Sequence, residues 1–367
     1  MWYHWGNYVR DDGKGTGMET KRWRVDESMD EAKLINDPAI QEAASLLRDR
    51  RLVAFPTETV YGLGANAQSE EAVASIFTAK GRPSDNPLIV HIADVESLDQ
   101  WMEMTPQGEA LLKCFWPGPL TLVGRHKGTL ASGTTAGLPT VGVRIPSHPV
   151  ARALLRCSGV PVAAPSANRS GKPSPTTADH VWQDLMGRID GIVDGGVTGV
   201  GVESTVVDVT GEVPILLRPG GITLDQLRSI SGEVQVDPGI EQEGLVPRSP
   251  GMKYRHYAPQ GEMWLVVGDG EEQRSKVARM AMDAAQKGQR VAVLTTEENR
   301  DTYQVDHVIS LGRRDDPASV ARGLYAALRT CDDLGVDVIY TEAFPVEGIY
   351  YSVMNRLLKA AEGRIVT

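Results

Sequence analysis

Apolar and polar residues follow two different periods along the first 220 residues. From Pro38 to Arg50 apolar residues recur every three or four positions, which predicts an amphipathic helix, and the apolar run Arg51–Phe55 predicts a buried strand that Pro56 ends. A second apolar run, Pro87–Ile92, predicts another strand. Similar patterns predict strands at Leu120–Gly124, Val141–Ile145, Val160–Ala164, Val206–Val209 and Ile215–Arg218, and helices at Gln107–Phe115, Pro149–Cys157 and Thr177–Leu185. Because helices and strands interleave irregularly, we expect an α/β fold with a mixed, twisted, open sheet and flanking helices.

The last hundred residues show a more regular alternation. The patterns predict, in order, a strand at Met263–Val267, a helix at Glu272–Lys287, strands at Arg290–Leu294 and Asp306–Leu311, a helix at Ala318–Thr330, a strand at Val336–Thr341 and a helix at Val353–Ala361. This order is typical of a small parallel sheet with helices on its faces, so we expect a smaller Rossmann-like α/β domain.

These patterns divide the chain into four parts. We expect an N-terminal extension at 1–36 with little order, a catalytic domain at 37–220, a linker at 221–260 and the C-terminal domain at 261–367. Five glycines and four prolines fall within the linker, which has no long periodic run beyond a short predicted helix near Thr223–Ser229. Met1–Gly17 carries no signal-peptide pattern, and Met18 is a second candidate start.

Composition and charge exclude several classes of protein. The chain has 41% hydrophobic and 23% charged residues, as in ordinary globular proteins, and no apolar run approaches the roughly 20 residues that span a bilayer. The three cysteines are scattered without metal-ligand spacing, which favours a reducing, cytoplasmic location. The net charge of −10 disfavours non-specific nucleic-acid binding, although a local basic cleft stays open.

Two polar segments in the first half are candidates for ligand binding. Thr57–Gly64 follows a predicted strand, where open sheets bind ligands, although an ordinary strand–turn–helix junction explains it as well. Lys80 and Arg82 flank Gly81, which lets the chain leave a helix. If this stretch is extended, both cations face one ligand, and phosphate oxygens suit them; the alternative is a pair of solvated charges.

Single polar residues inside apolar strands are the next candidates. His91 lies in a predicted strand, where a hydrogen-bonded core histidine is the ordinary interpretation. Arg144 lies in another, and a buried guanidinium needs an anion, either a carboxylate of the protein or one of a substrate.

The remaining candidates follow later strands. Ala163–Gly171 and Ser174 offer small donors for phosphate or ribose, although turn chemistry also selects such residues. Glu203-Ser204-Thr205 leads into a strand, and Arg218 ends one. The chain contains neither a P-loop nor a Gly-x-Ser-x-Gly elbow, which argues against both of those sites.

Four motifs together carry a resemblance. Lys80-Gly81-Arg82-Pro83, Pro165-Ser166-Ala167-Asn168, Ser204-Thr205-Val206 and Arg218-Pro219-Gly220, in this order, resemble the YrdC-type domain of threonylcarbamoyl-AMP synthases. The segment Pro250–Pro259, followed by a second α/β domain, resembles the longer two-domain form of that family. The similarity extends from about Asp37 to the C-terminus.

The resemblance implies a nucleotidyltransferase that combines L-threonine, bicarbonate or CO2, and ATP into threonylcarbamoyl-AMP and pyrophosphate. Other proteins then use this product to modify adenosine 37 of tRNA. The resemblance assigns Lys80 and Arg82 to catalysis, Thr59, His91, Arg144, Ala164 and Ser204 to threonine, and Arg82, Asn86, Thr140, Ser166, Ser174, Arg218 and Tyr257 to ATP. Arg144 would then hold the threonine carboxylate.

The residue inventory fits this chemistry and leaves some questions open. Phosphoryl-type transfer needs alignment and charge neutralisation, which Lys80, Arg82, Arg218 and Mg2+ could supply. No carboxylate cluster reads as a metal cage, so we expect Mg2+ to bind with the phosphates. We expect the basic segment before Tyr257 to act as a lid. The rival hypotheses are an RNA-binding protein that uses the basic cleft, a weak tRNA contact included, and a carbamoyl-transfer enzyme with another acceptor.

Overall fold

The structure is a computed structural model that describes residues 18–240 and 257–367. Its first part contains eleven strands, β1 Lys21–Arg24, β2 Val53–Phe55, β3 Gly62–Asn66, β4 Ile89–His91, β5 Leu120–Arg125, β6 Thr140–Arg144, β7 Val162–Ala163, β8 Gly191–Asp194, β9 Thr205–Asp208, β10 Ile215–Arg218 and β11 Gln235–Val236. The helices of this part are α1 Glu31–Ile35, α2 Pro38–Arg48, α3 Glu70–Lys80, α4 Pro106–Phe115, α5 Ser132–Thr135, α6 Pro149–Ser158, α7 Ala178–Leu185 and α8 Leu224–Ser231.

The described strands of the first part form one mixed sheet in the order β1-β8-β2-β3-β7-β4-β6-β5-β9-β10-β11. Parallel pairs such as β4 with β6 alternate with antiparallel pairs such as β5 with β6. Helices cover both faces: α1, α2 and α6 pack on one apolar cluster, and α3, α4, α7 and α8 contribute to the larger one. The predicted mixed sheet with flanking helices is therefore confirmed.

The C-terminal part is a separate five-stranded sheet. Its elements are β12 Glu262–Val266, α9 Gly270–Gln286, β13 Val291–Thr295, β14 His307–Ser310, α10 Pro317–Leu334, β15 Val338–Glu342, α11 Gly348–Ala360 and β16 Ile365–Val366. The strand order is β14-β13-β15-β12-β16, and every pair is parallel. Each predicted element is present, because buried parallel strands have continuous apolar runs that the sequence shows directly. The short strand β16 was not predicted.

The catalytic sheet extends beyond the boundaries that the sequence suggested. Strand β1 pairs with β8 before residue 37, and Arg22 on it contacts Asp194 and Asp179. Charged edge strands have no apolar period, which is why the sequence did not reveal it. Helix α8 and strand β11 also belong to this domain, although we placed both in the linker. The leader 1–17 and the linker segment 241–256 lie outside the described residues.

Two tight contacts dock the C-terminal domain on the catalytic domain. Val60 and Val202 of the catalytic domain belong to the apolar cluster that α10 and α11 build. Gly201 has φ +80°, and a Cβ there would lie 2.3 Å from the Cα of Arg322 on α10. The glycine-rich segment before β9 is therefore a place where two backbones approach each other closely.

No described helix is long and apolar enough to cross a membrane.

Candidate active site

The strand directions bring several predicted residues to one edge of the sheet. Strands β4, β6 and β10 end with His91, Arg144 and Arg218, and β9 begins directly after Ser204. Because β9 runs opposite to its neighbour β10 and to β6, its first residue lies at the same edge as their last residues. His91 and Arg144 are direct partners in the ladder.

A cavity opens at this edge, with an empty volume of about 690 Å³ counted together with its mouth. Among the predicted residues it is lined by Thr59, Arg82, His91, Arg144, Ala164, Ser166, Ser174, Ser204, Arg218 and Tyr257. The hypothesis requires Lys80, Arg82, Arg144 and Arg218 to share one cavity; the three arginines line it, and Lys80 does not.

Arg144 has a carboxylate partner in the protein, Glu58, which the sequence did not identify. Its Nη2 lies 2.6 Å from Oε1 of Glu58, and its Nη1 donates to Oγ1 of Thr59 at 2.9 Å. Its Nε donates to the carbonyl of Gly118 at 3.3 Å. The sequence left a protein carboxylate open as an alternative, and we preferred the threonine carboxylate. In this structure the protein supplies the anion. Glu58 belongs to the segment Thr57–Gly64, which the sequence already marked as a candidate for ligand binding.

Lys80 does not line the cavity, contrary to the expected contact with phosphates. Its Nζ donates to the carbonyls of Ser166 and Asn168 and to Oδ1 of Asn168, the last two at 2.7 and 3.5 Å. Burial, followed by the charge of Arg82, holds the pKa of Lys80 well below its usual range. The physical reason is that Lys80 is in the last turn of α3 and Gly81 turns the chain with φ +64°, so the two-residue alternation of a strand does not apply. Lys80 therefore supports the loop that carries Ser166.

Asn86 and Thr140 also lie outside the main cavity. Thr140 lines a smaller hollow of about 270 Å³, whose lining shares Leu88 and Ile89 with the main cavity. Asn86 is fully buried, and neither of its amide atoms has a hydrogen-bond partner in the part of the chain that the structure describes. An unpaired buried amide is costly, so Asn86 is a candidate for binding a ligand.

His91 is neutral in this site at physiological pH. Burial, followed by the charge of Arg144, lowers the pKa of His91 to about 3. Its Nδ1 lies 3.2 Å from the carbonyl of Ile89. A neutral imidazole offers a ligand one donor or one acceptor rather than a charge.

Arg218 and Ser204 are locked together. Arg218 donates from Nε and Nη2 to the carbonyl of Ser204 at 3.1 and 2.9 Å, and Nη2 also lies 3.1 Å from its hydroxyl. Gly220 permits this arrangement, because a Cβ there would lie 2.2 Å from the backbone nitrogen of Thr205. The motif Arg218-Pro219-Gly220 is therefore required by a close approach of β9 and the turn after β10.

Glu203 is the acidic residue of the cavity, and the predicted site did not include it. Burial alone would raise its pKa, but Arg356 and Arg218 lower the pKa of Glu203 to about 2, so it is ionised. Ser174 donates to Oε1 at 2.5 Å, and the remaining contacts come from Tyr325 and Arg356 of the C-terminal domain. A carboxylate directly before Ser204 was the only signal available in the sequence.

Comparisons with known proteins agree with this geometry. A family described as "Telomere recombination" matches residues 45–220, and one described as "Threonylcarbamoyl-AMP synthase, C-terminal domain" matches 222–362. The chain is 53% identical over 351 residues to a Bacillus subtilis threonylcarbamoyl-AMP synthase, covering 95% of this chain and 100% of that one. It is 47% identical over 334 residues to the Pyrococcus abyssi enzyme of the same name, covering 90% and 96%.

A solved structure extends the likeness to three dimensions. The crystal structure of P. abyssi Sua5 complexed with L-threonine superposes with a TM-score of 0.88 at 46% identity, covering 95% of this chain and 99% of that one. Sequence and fold therefore match over both domains, and the chain belongs to the threonylcarbamoyl-AMP synthase family in its two-domain form.

Proposed function

We propose that this protein condenses L-threonine, bicarbonate or CO2, and ATP into threonylcarbamoyl-AMP and pyrophosphate. The observation that carries the proposal is the cavity whose lining brings three arginines together with small polar residues: Arg82, Arg144 and Arg218 with Thr59, Ser166, Ser174 and Ser204. Membership of the family and the threonine complex of the P. abyssi relative support the same reaction.

The threonine end of the cavity is built around Arg144. A threonine carboxylate would accept from this guanidinium in competition with Glu58, while Thr59 and the neutral His91 offer hydrogen bonds to the hydroxyl and amine. Ala164 and Ser204 complete this part of the lining. These roles are proposals that rest on the contacts described above.

Two arginines lie at the nucleotide end of the cavity. Arg82 and Arg218 line the cavity beside Ser166, Ser174 and Tyr257, and we propose that they neutralise the triphosphate. Asn86, with its unpaired amide, and Thr140, in the adjoining hollow, complete the nucleotide contacts. Lys80 acts on this end through the loop of Ser166 and Asn168.

The chemistry requires alignment more than covalent participation by the protein. The amine of threonine adds CO2 and loses a proton, giving a carbamate. A carbamate oxygen then attacks the α-phosphorus of ATP, and the bond to pyrophosphate breaks. Carbamates decompose in water, so a buried, preorganised site favours the second step.

Mg2+ fits this scheme as a part of the nucleotide substrate. Within residues 18–240 and 257–367 no group of three or more His, Cys, Asp or Glu side chains is placed to hold a metal ion. The magnesium would therefore bind phosphate oxygens, as it commonly does with nucleotides. The proposed lid falls mainly on 251–256, outside the described residues, so it stays a prediction; Tyr257, at its described end, lines the cavity. Transfer of the product to tRNA by other proteins, and a cytoplasmic location, also stay predictions.

The experiment is a pyrophosphate-release assay with ATP, Mg2+ and bicarbonate, with and without L-threonine. We expect release that depends on both threonine and bicarbonate, and a product with the mass of threonylcarbamoyl-AMP. L-Serine, which lacks the methyl group, is the matched control substrate. Release that is independent of threonine would contradict the proposal, and salt-dependent RNA binding without ATP turnover would favour the RNA-binding rival.

A further inference from the structure

Two residues of the C-terminal domain reach the lining of the cavity. Tyr325 on α10 and Arg356 on α11 are fully buried, and both contact Glu203 of the catalytic domain. The Tyr325 hydroxyl lies 3.0 and 2.8 Å from the two carboxylate oxygens, and it can donate to one of them at a time. Arg356 donates to Oε2 from Nε at 3.2 Å and from Nη2 at 3.0 Å.

These contacts solve an electrostatic problem in a site for polyphosphate. Glu203 is ionised and lines the cavity, so without a partner it would repel the phosphates of ATP. Arg356 places a full positive charge against it from the side of the C-terminal domain, and the pair is almost completely shielded from solvent. In such a setting the attraction between opposite charges is strong.

Arg218 would be the alternative partner of Glu203. The two residues are close enough that each alters the pKa of the other, and yet Arg218 directs Nε and Nη2 to Ser204. If Arg356 were absent, the carboxylate would attract the guanidinium of Arg218 and compete with the nucleotide for it. Arg356 thus keeps Glu203 from drawing Arg218 away from its position beside Ser204, where its side chain lines the cavity.

Tyr325 and Arg356 also contact the ring of Tyr257. The rings of Tyr257 and Tyr325 stack with centroids 5.3 Å apart, and the guanidinium carbon of Arg356 lies 6.0 Å from the centroid of Tyr257. The backbone around β10 is held from the same side, because Arg356 donates to the carbonyl of Pro219 at 2.5 Å and Ser352 donates to that of Gly220 at 2.8 Å.

We propose that Arg356 and Tyr325 of the C-terminal domain are positioning residues for the nucleotide end of the active site. They fix Glu203, hold Arg218 in its position at the cavity and support Tyr257. The C-terminal domain is then a structural part of the active site of its own chain. This inference rests on the proposed function, because it assigns the nucleotide to that end of the cavity.

The test compares four full-length variants by their KM for ATP and for threonine. Arg356→Met should raise the KM for ATP about tenfold to a hundredfold, because one partner of a buried charge pair is lost, and leave the KM for threonine within about threefold. Adding Glu203→Gln removes the charge that Arg356 neutralises, so the double variant should match Glu203→Gln alone within about threefold.

Arg329→Met is the matched control. Arg329 makes a comparable buried pair across the same interface, with Nη2 2.8 Å from Oδ2 of Asp184. Asp184 does not line the cavity, and without Arg329 it keeps an ion pair, 2.9 Å long, with Lys172, which does. We expect this variant to lose stability in a thermal melt and to keep the KM for ATP within about twofold. An equal rise in the KM for ATP in Arg329→Met and Arg356→Met would show general loss of domain docking and overturn the inference.

The experiment stays decisive if Arg356→Met fails to fold. The double variant Glu203→Gln with Arg356→Met lacks both charges of the pair, so neither is left buried without its partner. If its KM for ATP is about tenfold above that of Glu203→Gln, Arg356 acts by a route other than Glu203, and the proposal is overturned. Calorimetric titration of ATP into the same proteins separates this inference from the proposed function. If the wild-type protein shows no threonine-dependent turnover, the proposed function is refuted. If Arg356→Met binds ATP as tightly as the wild type, the positioning role of Arg356 is refuted.

Discussion

Replacement of Arg144 by methionine tests the threonine end of the site most directly. Methionine keeps much of the apolar stem and removes the guanidinium that contacts Glu58, Thr59 and Gly118. If this group binds the threonine carboxylate, the variant loses charge-assisted hydrogen bonds worth about 1.5–3 kcal/mol. Since 1.4 kcal/mol corresponds to a factor of ten, the KM for threonine should rise about 10- to 150-fold.

The stability of the Arg144→Met variant should fall as well. Without the guanidinium of Arg144, the Glu58 carboxylate keeps a hydrogen bond from the backbone N–H of Ser147 at 3.1 Å, and 13% of its side-chain surface is exposed. Breaking a buried pair costs about 3–5 kcal/mol, and this partial exposure places our expectation near 3 kcal/mol. Denaturant unfolding measures this loss, and the kinetics are then read below the onset of unfolding.

Glu58→Gln is the informative partner variant. It removes the carboxylate that competes for Arg144 and keeps the contacts with Thr59 and Gly118. The KM for threonine should therefore fall about twofold to fivefold, which corresponds to the strength of a partly exposed ion pair. Arg125→Met, at the exposed end of the neighbouring strand β5, is a control that should leave the KM for threonine unchanged.

The assay is threonine-dependent pyrophosphate release at saturating ATP and bicarbonate. A folded Arg144→Met variant with the threonine KM of the wild type would refute the assignment of the carboxylate to Arg144. A rise in KM in Glu58→Gln as large as that in Arg144→Met would instead show that Glu58 contacts the substrate itself.

Three further predictions follow from buried polar groups. Lys80→Met should lower kcat/KM about a hundredfold and change the KM of both substrates, because the carbonyls of Ser166 and Asn168 lose their hydrogen-bond donor. A rise confined to the KM for ATP would instead support a direct contact between Lys80 and the phosphates. His91 has a pKa of about 3 in the folded protein and an ordinary value of 6.5. Between these values the unfolded chain binds a proton at His91 that the folded chain does not. The free energy of unfolding should therefore decrease as the pH is lowered from 6.5 toward 3. At pH 5 this costs about 2 kcal/mol relative to pH 7.5, and denaturant unfolding of His91→Gln should lack that part of the loss. Asn86→Ala should raise the KM for ATP about tenfold without lowering the melting temperature, because it removes two buried polar atoms that have no partner among the described residues; a lower melting temperature with an unchanged KM would indicate a purely structural role.

The sequence was most informative where local physics decides the outcome. The parallel C-terminal sheet followed from its apolar runs, and Gly81 ends α3 in the left-handed conformation, as its residue type allows. The edge strand β1 escaped notice because its charged residues serve contacts with Asp179 and Asp194 rather than a core. Local patterns therefore determined the fold class of both domains and most, but not all, of their helices and strands.

Which side chains meet was decided by tertiary structure alone. Glu203 and Arg356 are 153 positions apart, and no local pattern relates them. Arg144 was known to need an anion, but only the fold showed that Glu58, across the turn between β2 and β3, supplies it. Lys80 likewise points under a loop because of the helix turn on which it lies.

The sequence by itself determined two α/β domains, a set of polar motifs at strand ends and the need of a buried arginine for a counter-charge. The tertiary structure decided the pairing of those charges and the contribution of the C-terminal domain to the catalytic cavity. The physical reason is that hydrophobic period and capping act over a few residues, whereas electrostatic pairing in a buried site depends on distances that only the folded chain sets.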